Sequence, residues 1–433
     1  MSPTPDSSSK PITVAIIGGG LGGLALAIGL LGYPNVKFHI YEAASAFSEI
    51  GAGIMFGPHS VNALRLLHPR ALEAFKKCVT YNADEHMARH WPTFRYGVGK
   101  ESGNVIYQIM PNEKVGTIID NCGTRPMSSV HRARFLDEFV NILPEESASF
   151  GKALTEVEEV AGGVRMVFGD GSSAVADAVI GCDGIKSRTR ASLLPEIGPR
   201  YAEEYAYRSL IDAEVVKEIM GKTLGGNAQL WCGSGGYIVH YPVEQGRLVN
   251  VVAVKRDKDK ESKHSYEQLI TPTSREDMYK AWRDWDPRLQ QLLRKFKTSD
   301  QWALWDLPHT ERYSRGRICL LGDAAHAVVP HLGSGAGMAM EDAYVLSNLM
   351  GASNGAEDLE DVFEVYDAVR RPRTQKMAWK SREAGIYHAF EKERVLDDHE
   401  MLQSEASTIY SWVWEFDLEA SLKEAKEMLA GRK

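Results

Sequence analysis

Residues 14 to 33, VAIIGGGLGGLALAIGLLGY, run for 20 positions without a charge. A stretch of that length and apolarity suffices for a membrane-spanning helix. Its seven glycines argue against one, because they cluster at Gly18 to Gly23. The pattern reads instead as strand, tight turn and helix. Residues 12 to 17, ITVAII, are short, apolar and rich in β-branched side chains, which suits a buried parallel strand. A helix is predicted from about Leu21 to Leu31, and a second strand from Lys37 to Tyr41. Within this βαβ unit, Gly18-x-Gly20-x-x-Gly23 fits a dinucleotide fingerprint. The first glycine allows the turn, the second lets backbone approach a pyrophosphate, and the third lets helix and strand pack closely. The helix N-terminus offers unpaired N–H groups and a positive dipole to the anion. Glu42, 24 residues after Gly18, stands where an acid accepts hydrogen bonds from a ribose.

Two later segments repeat the same strand type, Ala178 to Cys182 and Arg317 to Gly322. One nucleotide-binding sheet built from distant pieces is therefore expected, with another domain inserted between them. Residues 200 to 256 read as repeated strands (EYAYRSLIDAEV, NAQLWCG, GYIVHYPV, RLVNVVAVK), a second and mostly antiparallel sheet. Helices are predicted at 58–76, 129–143, 275–296 and from near Gly337, and the chain beyond Leu359 reads as mostly helical. Residues 84–120 show no strong period, and the run at 257–264 reads as a solvated loop. The expected fold is α/β: a Rossmann-like domain over 11–83, 120–190 and 308–375, a β-sheet substrate domain over 84–119 and 191–307, and helices over 376–433. Residues 1–10 are expected to be a disordered tail.

Composition narrows the function. A length of 433 residues, 44% hydrophobic and 25% charged, is a globular mix that excludes collagen and disordered classes. A net charge of −8 disfavours nucleic-acid binding, which needs a basic surface. The five scattered cysteines contain no C-x-x-C pair and read as free thiols in a reducing, cytoplasmic setting. No membrane partner and no metal site are expected. His326 and His331, five apart across Pro330, are poorly spaced as ligands on one helix.

The three-glycine loop, with Cys182-Asp183-Gly184 before Ser187 and with Gly322-Asp323-Ala324-Ala325-His326 before Pro330, resembles the single-component FAD-dependent aromatic hydroxylases. This is the group of para-hydroxybenzoate and salicylate hydroxylase, and the resemblance spans about 12 to 375. It implies FAD as cofactor, held by Gly18, Gly20, Gly23, Glu42, Arg132, Asp183 and Asp323. It also implies that the isoalloxazine lies between a Gly53 loop (Glu49 to Ile54) and the GSGAG loop that includes Gly335 and Ala336. A charge on Asp323 at the end of an apolar strand calls for a partner, and ligand hydroxyls would supply one. No second G-x-G-x-x-G is present, so NADH or NADPH is expected as a transient donor. In the family the reduced flavin and O₂ form a C4a-hydroperoxide, an electrophile that attacks an electron-rich phenolic ring.

The inserted sheet is expected to roof the flavin. Arg208 suits a phenolate or carboxylate counter-ion, and His331 or Tyr241 a proton relay, while Met55, Trp231 and Tyr237 are candidate pocket walls. In GYIVHYPV, Tyr237, Val239 and Tyr241 share one face and Ile238 and His240 the other, which favours Tyr241 over His240. FGPHSVNALR, SSVHRARFLDEFV and AAHAVVPHLGSGAG are most similar to salicylate-hydroxylase-type members. They imply decarboxylative hydroxylation of a salicylate-type hydroxybenzoate to a catechol. YRSLI and VHYPV also resemble fungal enzymes that dearomatise polyketide phenols, a second reading, and a flavin oxidase or dehydrogenase without oxygen insertion is a third. The expected partners are a small phenol and O₂, on a monomer or homodimer.

Overall fold

The computed structural model describes residues 10–48, 52–257, 266, 269–391 and 399–432. The expected tail at 1–9, Glu49 to Gly51 and most of the charged run after Asp257 lie outside the described residues. Among them no helix is long and apolar enough to cross a membrane, and all five cysteines are free thiols.

The uncharged stretch folds as strand Ile12–Ile17, a turn at Gly18 to Gly20 and helix Leu21–Leu30. Every residue of that helix except Gly22 is buried. Each fully buried leucine contributes about 1.5–3 kcal/mol, which is why a helix apolar all round belongs in a domain core. It packs against helix Gly335–Gly351 so closely that a Cβ on Gly29 would lie 2.6 Å from Ser347 Oγ.

Strand Ile12–Ile17 pairs in parallel with Val36–Tyr41 on one side and Ala178–Gly181 on the other. Ile318–Leu320 continues the parallel sheet, and an antiparallel strand Ser314–Arg315 closes that edge. The three apolar segments separated by hundreds of residues therefore lie side by side. A separate sheet follows the order 270–271, 301–306, 200–212, 248–256, 236–243, 229–233, 93–96, 105–107. Its neighbours are antiparallel except Gln229–Gly233 with Thr93–Tyr96. A small sheet of Gly53–Phe56, Ser128–His131 and Thr80–Tyr81 stands between the two, and strands at 154–176 form a meander.

Several predicted helices are divided. Residues 58–76 form two helices, Pro58–Leu67 and Pro69–Cys78, because the residue before Pro69 is forced out of the helical region: His68 has φ −167° and ψ 137°. Pro287 likewise opens a new helix, Pro287–Leu293, after Arg275–Ala281. The segment at 129–143 begins as strand Ser128–His131, so Arg132 is the first residue of helix Arg132–Val140. A helix at Glu113–Cys122, capped by Asn112 and ended by Gly123 at φ 62°, lies where no period was legible. Helix Leu359–His388 runs through Pro372 and touches both large sheets, at Ser314–Arg315 of the first and at Gln229–Gly233 and Gly236–Val243 of the second.

Candidate active site

A cavity of about 470 Å³ opens where the two large sheets meet. A second space of about 700 Å³ continues from it over the glycine turn, and the two share Gly20, Arg132, Cys182 and Gly184. The long space suits an extended dinucleotide, with one end among the residues of the antiparallel sheet.

The glycine turn is built by exclusion. Gly18 has φ 104°, and a Cβ there would lie 2.5 Å from the Cys182 carbonyl oxygen. A Cβ on Gly23 would lie 2.1 Å from the Gly18 carbonyl oxygen. Gly20 caps helix Leu21–Leu30 without any side-chain hydrogen bond, so the helix N–H groups stay open to a ligand. Glu42 lies in the groove, but its carboxylate also accepts the Gly19 N–H at 2.6 Å and the Ala44 N–H at 2.8 Å. It shapes the turn as well as facing the groove. Lys186 and Arg188 line the same groove and add positive charge suited to phosphates.

Asp183 lines the groove with its carboxylate turned to the start of helix Arg188–Leu193. It accepts the backbone N–H groups of Arg188 at 2.8 Å and Thr189 at 3.0 Å, and the Ser187 hydroxyl. Its side chain is thus a helix anchor. Asp323 differs from the sequence argument in another way: it is exposed at the cavity rather than buried. The partner argument from a buried charge does not apply, but an exposed carboxylate facing the cavity is available to ligand hydroxyls. Gly335 and Ala336 begin helix Gly335–Gly351, which also starts at the cavity without a side-chain cap. Arg132 lines both spaces. Two uncapped helix starts, a clash-bound glycine turn and a cavity-facing aspartate fit FAD.

Period-two alternation combined with register decides the opposite wall. Across three adjacent strands, Ala206, Val254 and Tyr237 form one row, Arg208, Val252 and Val239 the next, and Leu210, Asn250 and Tyr241 a third. Tyr237, Val239, Tyr241, Arg208, Val252 and Asn250 all line the cavity. The Arg208 guanidinium stacks 3.4 Å from the centroid of Trp302, which lies on the neighbouring strand and also lines the cavity. Stacking holds the planar cation in one orientation. Burial pushes the Tyr241 hydroxyl above its ordinary range, against the pull of Asn250 and Arg208, so it stays a neutral donor at physiological pH. Asn250 accepts the Gly53 N–H at 3.2 Å, tying the Gly53 loop to this sheet. Met55 lies beside Gly333 and lines the cavity.

Two expected positions are corrected. Trp231 pairs with Ile238, which places it on the far face of the sheet. It is fully buried there and its indole N–H donates to His240 Nε2 at 3.1 Å. Burial holds His240 down at about 3, so its imidazole is neutral and free to accept. Trp231→Phe is therefore expected to cost about 1 kcal/mol of stability for the lost hydrogen bond and to leave substrate KM within about twofold. A tenfold KM rise would put Trp231 back in the pocket. His331 does not line the cavity; it is buried behind Tyr237, whose hydroxyl lies 2.8 Å from its Nδ1. Trp302 and Asn250 were missed. A polar break in the apolar run LVNVVAVK marks Asn250, and the alternation in QWALWD marks Trp302. Among the described residues no cluster of three or more His, Cys, Asp or Glu is arranged to hold a metal ion.

Comparison with known proteins agrees with this geometry. The FAD binding domain family matches residues 144–381. The chain is 36% identical to 6-methylsalicylate 1-monooxygenase of Aspergillus terreus, covering 98% of this chain and 93% of that protein. It is 35% identical to a salicylate hydroxylase of Pseudomonas putida, covering 96% and 95%. A solved salicylate hydroxylase substrate complex superposes with a TM-score of 0.83 at 31% identity, covering 96% of this chain and 98% of that one. The chain belongs to the FAD-dependent aromatic monooxygenases of the salicylate hydroxylase type.

Proposed function

We propose that this enzyme consumes NADH or NADPH and hydroxylates a salicylate-type hydroxybenzoate at the carbon bearing the carboxylate, releasing CO₂ and a catechol. One observation supports this above the others: a stacked arginine and a neutral tyrosine on one face of a cavity that continues into the FAD groove. When bound and reduced, FAD supplies the oxygen-activating chemistry.

The residues of the chain supply the rest. Arg208 offers a fixed cation to the anionic oxygen of the ring, through charge-assisted hydrogen bonds. Tyr241 donates a hydrogen bond to the same region and, being buried, does not itself ionise. Trp302, Val239, Val252, Leu304 and Met55 give an apolar wall that keeps water from the reacting ring and strengthens every polar contact inside. The expected contributions of Asp323, Arg132, Gly335 and Ala336 are to FAD, and those of Gly18, Gly20, Gly23 and Gly53 to its close approach.

The test is NADH and NADPH consumption against salicylate, alkylated salicylates, other hydroxybenzoates and resorcinol aldehydes, with products identified by mass. A catechol with CO₂ supports the reading. A product one oxygen heavier with lost aromatic absorbance moves the enzyme to the dearomatising group, and cofactor oxidation without any oxygen in the product overturns both. On the productive phenol, Arg208→Ala is expected to retain FAD and lose about 100-fold in kcat/KM, or about 2.7 kcal/mol, the scale of hydrogen bonds to a charge. Unchanged kcat/KM with every productive phenol would remove Arg208 from the site.

A further inference from the structure

One donor in the cavity wall is buried without an acceptor. Asn250 is 2% exposed and lines the cavity beside Tyr241, its partner on the neighbouring strand. Its amide nitrogen, Nδ2, is closed to solvent and has no hydrogen-bond partner among the described residues. A buried N–H left unpaired is costly, so its place in the wall calls for a reason.

The Gly53 loop fixes which way the amide faces. Oδ1 accepts the Gly53 N–H at 3.2 Å. Turned round, the amide would set two donors against each other. The loop also fixes where the amide sits: a Cβ on Gly53 would lie 2.7 Å from Tyr241 Cε2 and 2.8 Å from Asn250 Cβ. Gly53 therefore packs against both side chains at once. Asn250 pulls the Tyr241 hydroxyl down against the effect of burial, although no hydrogen bond joins the two. The Tyr241 oxygen is thus the acceptor at hand for Nδ2.

We propose that Asn250 is a positioning residue that sets the direction of the Tyr241 hydroxyl. The proposal rests on the phenol reading above. With Oδ1 held by Gly53, the amide can offer Tyr241 only an N–H. The Tyr241 oxygen accepts it as the site tightens round a ligand, and the Tyr241 proton is left to point into the cavity. Arg208, which can only donate, and Tyr241 then both present protons from this wall. That arrangement favours an ionised ring oxygen over a protonated one, because a hydroxyl held there would set donor against donor.

A simpler role, tying the Gly53 loop to the sheet, would use Oδ1 alone. It gives no reason for an amide, since a carboxylate accepts the same N–H and leaves no donor stranded. Leu248, Val252 and Val254 share the face of strand Leu248–Arg256 that carries Asn250, so the amide breaks an otherwise apolar row from Leu248 to Val254. The flanking Val249 and Val251 are fully buried on the other face.

The test is a double-mutant cycle on the holoenzyme, with whichever phenol of the panel it turns over. Asn250→Ala is expected to lower kcat/KM about tenfold when Tyr241 is present and less than about twofold in Tyr241→Phe, because the amide acts through that hydroxyl. Asn250→Asp keeps an acceptor for the Gly53 N–H but turns an acceptor, not a donor, toward Tyr241. At pH 8 it should therefore fall below Asn250→Ala by about a further tenfold. A residue that only ties down the loop gives the reverse order, with Asp close to wild type and Ala worst. A readout without turnover is the ultraviolet difference spectrum of the bound phenol. Its phenolate component should shrink in Asn250→Ala and shrink further in Asn250→Asp, with FAD occupancy unchanged. If Asn250→Ala does not fold, Asn250→Asp against wild type carries the test by both readouts. Equal losses in the two Tyr241 backgrounds, or Asp at or above Ala, overturns the positioning role and leaves the phenol reading standing. Failure of the wild-type enzyme to turn over any phenol overturns that reading, and this inference with it.

Discussion

Replacing Gly18 by alanine is expected to yield colourless protein with little or no FAD. The turn at Gly18 fails an alanine twice. Its φ of 104° lies where a Cβ is strained, and the new Cβ would sit 2.5 Å from the Cys182 carbonyl oxygen. That oxygen belongs to backbone on the neighbouring parallel strand's end, so relief requires moving strand Ala178–Gly181 away from Ile12–Ile17. The displaced turn would also move Gly19, whose N–H is held by Glu42, and the open N-terminus of helix Leu21–Leu30. A misplacement of about 1 Å at a binding turn is enough to lose most of the affinity it provides. Flavin absorbance of the purified protein, before and after incubation with excess FAD, reads the outcome. Full occupancy without added FAD would show that the turn is not the pyrophosphate site. Asp323→Ala should give a weaker version of the same result, retaining FAD only when it is supplied in excess.

Arg370→Met is expected to lower stability by about 3–5 kcal/mol, the cost of stripping one partner from a buried ion cluster. Arg370 is fully buried, with Nη1 2.9 Å from Glu341 and Nε 2.7 Å from Asp342. Arg373 pairs with Glu341, and His326 with Asp342. Asp342 also accepts the Gly322 N–H at 3.2 Å, so the cluster anchors the turn that carries Asp323. At about 1 °C per kcal/mol for a chain of 433 residues unfolding as a unit, the thermal midpoint should fall by about 3–5 °C. FAD retention should weaken as well. A shift below about 1 kcal/mol would mean the remaining cations suffice.

The same cluster predicts a pH dependence. Burial pushes Glu341 and Asp342 up, but Arg370 and Arg373 on the first, and His326 and Arg370 on the second, outweigh it and depress both. Groups depressed on folding contribute stability that is present above their unfolded values and is lost as pH falls. The wild-type midpoint should therefore fall below about pH 6.5, where unfolded histidines begin to protonate while the buried His59, His240 and His388, held at about 3, stay neutral, and fall more steeply below about pH 4 as the carboxylates join. A midpoint that rises on acidification would contradict ionised carboxylates in the core.

The parts legible in the sequence depend on residues a few positions apart. Three glycines within six residues, an apolar strand before them and an acid after the second strand specify the βαβ unit, because turn geometry and helix start are local properties. The D-G and G-D turns were legible for the same reason, as was the sharing of one face by Tyr237, Val239 and Tyr241. Short-range pattern did not show that 58–76 breaks at Pro69, though the proline was in plain view, since a long apolar period and a local breaker compete. Nor did it show that the Asp183 carboxylate caps the following helix.

What depended on pairing between distant strands was decided only in three dimensions. The period within GYIVHYPV divides that strand into two faces, but only the register Trp231 to Ile238 puts the indole on the far side from Tyr241. Arg208 and Trp302 stack because two strands far apart in the chain are neighbours in one sheet. Tyr237 and His331 meet across 94 residues, and Glu204 reaches His331 from a bulged strand. Local spacing is set by the covalent geometry of the chain, whereas register and bulges are set by the burial of whole faces, to which every strand of the sheet contributes.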